Sequence, residues 1–200
     1  MLKAKIAVLV SGGGTNLQAL IDACKSGIIK SGKIVTVVSS KQGAYALTRA
    51  ADNGIPSAVF SKKDYDSKDA LDEAIAKHMK DCGVDIIVLA GYLSILGDKL
   101  LSAYENKIIN IHPSLIPSFC GDGFYGLKVH QAALDYGVKV TGATVHFVNE
   151  ITDGGKIILQ KAVYINDDDT AETLQKRVME EAEWKILPEA VELVCSGKIK

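Results

Sequence analysis

The sequence predicts an α/β fold: an open, mixed but mostly parallel sheet with helices on both faces and a Rossmann-like N-terminal half. Short β-branched runs alternate with segments of helical period, which is the pattern of βαβ units. The run Asp85–Leu89 is nearly continuous apolar sequence, as expected for a strand covered on both faces. Two late strands are separated by a short turn, which favours an antiparallel pair and hence a mixed sheet.

The composition is that of an ordinary globular chain. Its 200 residues are 48% hydrophobic and 24% charged with a net charge of -1, so no strong basic field attracts nucleic acid or anionic lipid. We expect one domain over residues 1–200. The four cysteines form no CxxC pair, and reduced thiols in the cytoplasm are the simplest interpretation. The longest apolar run, Ile86–Leu96, is shorter than the roughly 20 residues of a membrane span, and the N-terminal run Ile6–Val10 is too short for a signal-peptide core. Neither insertion nor export is therefore expected.

The N-terminal half contains four predicted strands in succession. The first strand leads into a helix with an apolar face that ends near Gly27, and the helix before the fourth strand is closed by Gly83. A helix is also predicted over Ala44–Ala51. The four strands are predicted over Ile6–Val10, Ile34–Ser39, Ala58–Phe60 and Asp85–Leu89.

The C-terminal half is less regular. A strand over Lys107–Ile111 feeds a segment rich in Pro and Gly, Pro113–Gly126, which a helix over Leu127–Tyr136 follows. The antiparallel strands are then joined through a turn at Asp153-Gly154-Gly155. The remaining predicted elements are strands over Val140–Val148 and Ile157–Ile165 and a helix over about Thr170–Leu187 with a short continuation after Pro188.

The glycine-rich loop SGGGTN lies between the first strand and the first helix. Free N–H groups and the helix dipole favour an anion there, and glycines let the backbone approach a phosphate closely. We expect Thr15 or Asn16 to cap the helix. The loop lacks the GK[ST] of a P-loop, and Leu17 stands where a dinucleotide fingerprint needs a small residue. A mononucleotide or sugar phosphate therefore suits the loop better, although an ordinary βα turn would use the same residues.

A second polar cluster, NIHPSLIP, begins inside an apolar strand and leaves it at a proline. Alternation places Asn110 and His112 on one face at the carboxyl end of the strand, where open α/β sheets hold ligands. An amide donor beside an imidazole can hold an oxyanion and move a proton, as acyl transfer requires. The alternative is a strand-end Asn in local turn bonds beside a half-buried His.

Asp153 has two interpretations that the residues alone leave open. It is either a hairpin-turn residue or a carboxylate at the sheet edge that orients His112. His130 and His146 are weaker candidates for the site, and His78 is expected to be exposed.

Five motifs, taken in order, resemble the folate-dependent formyltransferase family, in particular the glycinamide ribonucleotide formyltransferases of purine biosynthesis. They cover essentially the whole chain, and NIHPSLIP with its downstream DGG is highly specific. The motifs are SGGGTN, LAGYLSIL, NIHPSLIP, GATVHFV followed by DGG, and Glu183-Trp184 before Pro188.

This resemblance implies the formyltransferase fold, with 10-formyltetrahydrofolate as donor, the amine of glycinamide ribonucleotide as acceptor, and no metal. The implied partners are small molecules only, and the chain would be a monomer or a homodimer. The family's catalytic residues fall on Asn110, His112 and Asp153. Its phosphate and ribonucleotide site falls on Gly14, Thr15, Asn16 and Glu183. Its folate site falls on Leu89, Leu93, Ile95, Leu96, Leu101, Asn149, Glu150, Ile151 and Thr152.

Three features depart from the family pattern. Ser94 stands where many members carry Arg, and Phe119–Gly126 is longer than the family's shorter form, so it should reshape one wall of the site. The placement of Glu183 assumes an extra residue in the preceding helix.

Two other functions remain as alternatives. A formyltetrahydrofolate deformylase would use the same site with water in place of the amine. Such an enzyme is expected to carry an N-terminal regulatory domain, which we do not expect in this chain. A noncatalytic nucleotide-binding module would explain the glycine loop but not the Asn110, His112 and Asp153 set.

Overall fold

The computed structural model describes residues 2–199, and its centre is one seven-stranded sheet. The strands are β1 (Ala4–Val10), β2 (Gly32–Ser39), β3 (Ser57–Val59), β4 (Ile86–Leu89), β5 (Ile108–His112), β6 (Val140–Phe147) and β7 (Ile157–Tyr164). The helices are α1 (Thr15–Ser26), α2 (Tyr45–Asp52), α3 (Lys68–Asp81), α4 (Asp98–Ala103), α5 (Leu127–Tyr136), α6 (Ala171–Val178) and α7 (Trp184–Cys195).

The strand order, β3-β2-β1-β4-β5-β6-β7, confirms the predicted mixed sheet. The first five strands pair in parallel, whereas β6 runs antiparallel to both β5 and β7. The order reverses between β1 and β4, and the carboxyl ends of strands at such a switch point form a crevice that holds ligands in open α/β sheets. The glycine loop follows β1 at this crevice.

Side chains of β1 alternate between two hydrophobic clusters, one on each face of the sheet. Ile6, Val8 and Val10 pack with residues of α1, α6 and α7, while Ala7 and Leu9 pack with residues of α3 and α4. The prediction of helices on both faces is therefore confirmed. No helix within residues 2–199 combines the length and apolarity needed to span a bilayer.

Three local features differ from the sequence prediction. The short helix α4 was not predicted, because its six residues are too few to reveal a helical period. A π-helical turn over Met179–Glu183 leads into α7, which continues through Pro188 as far as Cys195. A π turn widens a helix locally, a distortion that accommodates an extra residue. The expectation that His78 is exposed is wrong, since its Nε2 lies 3.0 Å from the Thr36 hydroxyl and its ring packs on Phe60.

Gly14, the N-cap of α1, is required by both its conformation and its surroundings. Its φ of 72° is left-handed, and a Cβ there would lie 2.7 Å from the Cβ of Ala46 in α2. Gly13 has open space around the corresponding position and no positive φ. The loop is tied to α2 by the Arg49 Nε–H, which donates to the Gly13 carbonyl at 2.9 Å.

We predict that Gly14→Ala lowers the free energy of unfolding by about 1–3 kcal/mol, because left-handed strain adds to overpacking against α2. Gly13→Ala is the matched control and should change it by less than about 0.5 kcal/mol. Urea denaturation of both variants measures the difference. Equal stabilities would show that contact with Ala46 does not constrain the loop.

Candidate active site

Two cavities meet at the carboxyl ends of β4 and β5. The first, of about 460 Å³, extends from Asn16 and Glu183 to the end of β5, and the second, of about 230 Å³, extends towards α4. Asn110 and Asp153 line both cavities. The polar cluster predicted from the sequence therefore lies where the two cavities join.

Strand register brings the polar side chains together. In the antiparallel pair of β5 and β6, Asn110 lies opposite His146 and His112 opposite Thr144. Asp153 is contributed by the loop that links β6 to β7. Three catalytic candidates predicted from two separate segments are thus adjacent in space.

The Asn110 amide is oriented by His146. The Nδ1–H of His146 donates to the Phe147 carbonyl at 2.8 Å, so in the neutral ring Nε2 is the acceptor, and it receives the Asn110 Nδ2–H at 3.1 Å. The other N–H of that amide has only a 3.5 Å contact with Asp153 Oδ1. One amide donor therefore remains available for an oxyanion at the junction.

His112 presents one nitrogen to a carbonyl and the other to a carboxylate. Its Nε2–H donates to the Phe119 carbonyl at 2.9 Å, while Nδ1 lies 3.4 Å from Asp153 Oδ2. Burial lowers the pKa of His112 below its ordinary value, an effect only partly offset by the charge of Asp153. A ring that is neutral at pH 7, with its Nε2–H engaged, can accept a proton at Nδ1.

Asp153 is a buried carboxylate in a turn that its residue type permits. Its φ of 54° is left-handed, which Asp tolerates better than most residues, and its side chain is only 8% exposed. The Gly121 N–H donates to its Oδ2 at 2.9 Å. Burial alone would raise the pKa of Asp153, but the contact with His146, the charge that His112 carries when protonated and the Gly121 N–H lower it overall. The turn and the site interpretations of this residue are thus compatible.

The segment Phe119–Gly126 forms one wall of the first cavity. Residues 121–126 line it, and the Thr152 hydroxyl donates to Asp122 at 3.0 Å. The same segment supplies the carbonyl bound by His112 and the N–H bound by Asp153. The Ile116–Pro117 bond that precedes it is cis.

The glycine loop leaves the N-terminus of α1 without a side-chain cap. No side chain caps α1, so the expectation that Thr15 or Asn16 would do so is wrong. The Asn16 amide instead donates to Glu183 at 2.8 Å, and the Thr15 hydroxyl lies 3.7 Å from the Met179 sulfur, outside the first cavity. The uncapped N–H groups at the start of α1 remain available to an anion.

Glu183 lies at the end of the π turn and closes the first cavity opposite Asn110. It is fully buried, and burial raises its pKa to about 7, although the hydrogen bond from Asn16 opposes the shift. The Oδ1 of Asn16 has no hydrogen-bond partner. This end of the cavity therefore carries polar groups that a ligand could satisfy.

The second cavity collects most of the residues that the resemblance assigns to folate. Eight of the nine line it, and Leu93 lies on the first cavity instead. Ser94 lines neither cavity, while Lys68 is the cation on the wall of the second. The eight are Leu89, Ile95, Leu96, Leu101, Asn149, Glu150, Ile151 and Thr152.

Sequence reasoning underrated two histidines. His146 is buried between Asn110 and Asp153, where the antiparallel pairing of its strand with β5 places it. His130 is buried on α5 and lines the first cavity. Within residues 2–199, no group of three or more His, Cys, Asp or Glu side chains is arranged to hold a metal ion.

Comparison with known proteins agrees with this geometry. The formyl transferase family model matches residues 4–191. A phosphoribosylglycinamide formyltransferase from Haemophilus influenzae is 44% identical over 98% of this chain and 89% of its own. The trifunctional purine biosynthetic protein adenosine-3 of Gallus gallus is 45% identical over 99% of this chain, which spans 19% of that protein. The crystal structure of glycinamide ribonucleotide transformylase 1 from Symbiobacterium toebii has a TM-score of 0.93 and 42% identity, covering 99% of this chain and 90% of that one.

The buried carboxyl of Glu183 predicts a pH-dependent stability. Its pKa of about 7 exceeds the ordinary 4.5, so between these values the folded protein keeps a proton that the unfolded chain releases. The free energy of unfolding should therefore fall as pH rises through this window and level off above it. At about 1.4 kcal/mol per pKa unit, the loss attributable to Glu183 is up to about 3 kcal/mol.

Glu183→Gln should remove that loss, because the amide does not titrate and can still accept from Asn16. Urea denaturation of both proteins at pH 5 and pH 8 tests this. The variant is expected to lose less stability than the parent between the two values. Parallel pH profiles would mean that Glu183 is not buried as a protonated acid.

Proposed function

Because the chain belongs to the formyl transferase family, we propose that it transfers the formyl group of 10-formyltetrahydrofolate to the amine of glycinamide ribonucleotide. The products are formylglycinamide ribonucleotide and tetrahydrofolate, and the reaction is a step of purine biosynthesis. The observation that carries the proposal is the meeting of two cavities at Asn110 and Asp153. A transfer between two substrates needs such a junction, whereas a nucleotide-binding module does not.

The acceptor occupies the first cavity. Its phosphate binds the uncapped start of α1 at Gly14, Thr15 and Asn16, through backbone N–H groups rather than the Thr15 side chain. Its ribose lies beside Glu183. Anchored at the phosphate, the ligand extends its amine towards His112 at the other end of the cavity. Holding the amine next to the formyl carbon contributes much of the rate, because positioning replaces a bimolecular encounter.

The formyl donor occupies the second cavity. The apolar side chains of Leu89, Leu96 and Leu101 suit the flat faces of a pterin, and residues 149–152 form its polar edge. Ile95 lines both cavities and reaches the junction. Since Ser94 removes a cation common in the family, Lys68 is the group placed to meet negative charge on the donor.

The transfer follows from the protonation states of the residues at the junction of the two cavities. The acceptor amine attacks the formyl carbon, and the free N–H of Asn110 donates to the resulting oxyanion. His112 accepts the amine proton at Nδ1, and the ionised Asp153 stabilises the imidazolium. When the intermediate collapses, the bond to N10 of the folate breaks and the proton passes to that leaving nitrogen.

Three further features of the proposal concern the chain as a whole. We treat residues 1–200 as one domain, which the single sheet supports. A cytoplasmic location is supported by four free cysteines, as expected in a reducing compartment. A monomer or a homodimer is the oligomeric state that the resemblance implies.

Release of tetrahydrofolate from 10-formyltetrahydrofolate, measured with and without glycinamide ribonucleotide, tests the function. We expect release to depend on the ribonucleotide and to match the formylated product mole for mole. Release without it would identify a hydrolase instead. The absence of turnover under both conditions would favour a noncatalytic module.

We predict that Asp153→Asn lowers turnover roughly 10²–10⁴-fold, the range typical of lost acid–base help. Asn keeps the size of the side chain and tolerates the left-handed backbone, so the fold should persist. The KM for each substrate should change much less, because the lost interaction acts mainly in the transition state. Steady-state kinetics with both substrates measures kcat and the KM for each substrate separately.

Two controls belong with this variant. Asp135→Asn removes an exposed carboxylate on α5 and should leave turnover unchanged. The double variant His112→Asn with Asp153→Asn should be little worse than the poorer single one, since the two residues act as a unit. Near-normal turnover in a folded Asp153→Asn protein would refute the proton-transfer role and leave the family assignment intact.

A further inference from the structure

His130 is a buried imidazole with no hydrogen-bond partner. It lies on α5, is 1% exposed and lines the first cavity. Neither of its ring nitrogens is hydrogen-bonded. Buried polar atoms in folded proteins are nearly always paired, so two unpaired nitrogens on a cavity wall indicate a partner that the cavity receives.

The chemistry of that partner is limited by the charge of the ring. Burial, with a smaller effect from His112, lowers the pKa of His130 to about 4. The ring is therefore neutral near pH 7, with one N–H donor and one acceptor nitrogen. With so low a pKa, His130 is neither a counterion for a phosphate nor an effective general base at pH 7. Its natural partner is a group that donates and accepts at once, and a hydroxyl is such a group.

The position of His130 in the cavity points to the sugar of the acceptor. The ribose must lie between the phosphate at the start of α1 and the amine at His112. The cavity is lined by His130 together with Gln175 and Met179 from the region of α6. Asn16 lines the same cavity, and its Oδ1, which has no hydrogen-bond partner, is a second atom suited to a hydroxyl.

We propose that His130 is a specificity-determining residue that hydrogen-bonds a ribose hydroxyl of the acceptor, an inference that rests on the proposed function. The bond forms between two neutral groups and is present in the ground state as well as in the transition state. Its loss should therefore raise the KM for the acceptor and leave kcat nearly unchanged. The bond should also let the enzyme discriminate against acceptors that lack the hydroxyl, because the ring would then be buried without a partner.

The test compares glycinamide ribonucleotide with its 2′-deoxy and 3′-deoxy analogues on the parent protein and two variants. His130→Phe keeps a flat ring and removes both polar atoms, while His130→Asn restores a donor and an acceptor on a shorter side chain. We expect the parent to disfavour one deoxy analogue by roughly tenfold to a hundredfold in kcat/KM. His130→Phe should raise the KM for the ribonucleotide by a similar factor and treat that analogue like the full substrate. His130→Asn should recover part of the loss, and the KM for the folate should not change.

Equal treatment of all three acceptors by the parent protein would overturn the proposal, and this measurement needs no variant to fold. A fall in kcat at constant KM in His130→Phe would also overturn it, since that result indicates a proton-transfer role. Calorimetric binding of ribose 5-phosphate and 2-deoxyribose 5-phosphate separates this proposal from the proposed function. Discrimination between the two sugars without formyl transfer would refute the function and support the hydroxyl contact at the 2′ position. Transfer without discrimination against either deoxy acceptor would refute the contact alone.

Discussion

The arrangement of the site depends on burying one carboxylate without losing its charge. Taking an ionised Asp out of water costs several kcal/mol unless donors replace the lost hydration. Around Asp153 those donors are the Gly121 N–H and, at longer range, the Asn110 amide, and His112 Nδ1 becomes a third once it has accepted a proton. They belong to β5 and to the loop before α5, while His146 on β6 orients the Asn110 amide. The antiparallel addition of β6 beside β5 therefore helps to keep an ionised acid at the junction.

The sequence predicted the fold well because local periodicity and topology agree. Alternation along β5 was sufficient to place Asn110 and His112 together on one face, and a proline marked the end of the strand. The role of His146 could not be predicted in the same way, since it depends on the register between two strands separated by the whole 113–139 region. His130 could not be singled out for another reason. Its neighbours on the helix, Val129 and Ala133, are also buried, so His130 falls on the apolar face like an ordinary core residue. Location on the cavity walls, rather than residue type, separates the other three histidines from His78.

A π turn can keep a site in place when a helix gains a residue. An added residue in a helix would rotate every later side chain by about 100° if the helix stayed regular. Met179–Glu183 instead forms a wider turn, after which α7 packs normally through Ile186, Leu187 and Val191. Glu183 ends that turn and contacts Asn16 across the cavity. The insertion assumed in placing Glu183 is thus the kind of change a π turn can absorb, and this supports its assignment to the acceptor site.

The segment Phe119–Gly126 couples the two partners of the proposed proton transfer. Its Phe119 carbonyl engages Nε2 of His112, which directs basicity to Nδ1, and its Gly121 N–H stabilises the negative charge of Asp153. The two contacts arise only two residues apart, so a displacement of the segment would disturb both together. If the carbonyl withdrew, Nε2 could compete for the proton; if the N–H withdrew, the pKa of Asp153 would rise and its support for the imidazolium would weaken. In the proposed mechanism, the base and its orienting acid must therefore respond together to any displacement of this segment, including one caused by an acceptor in the cavity that the segment lines.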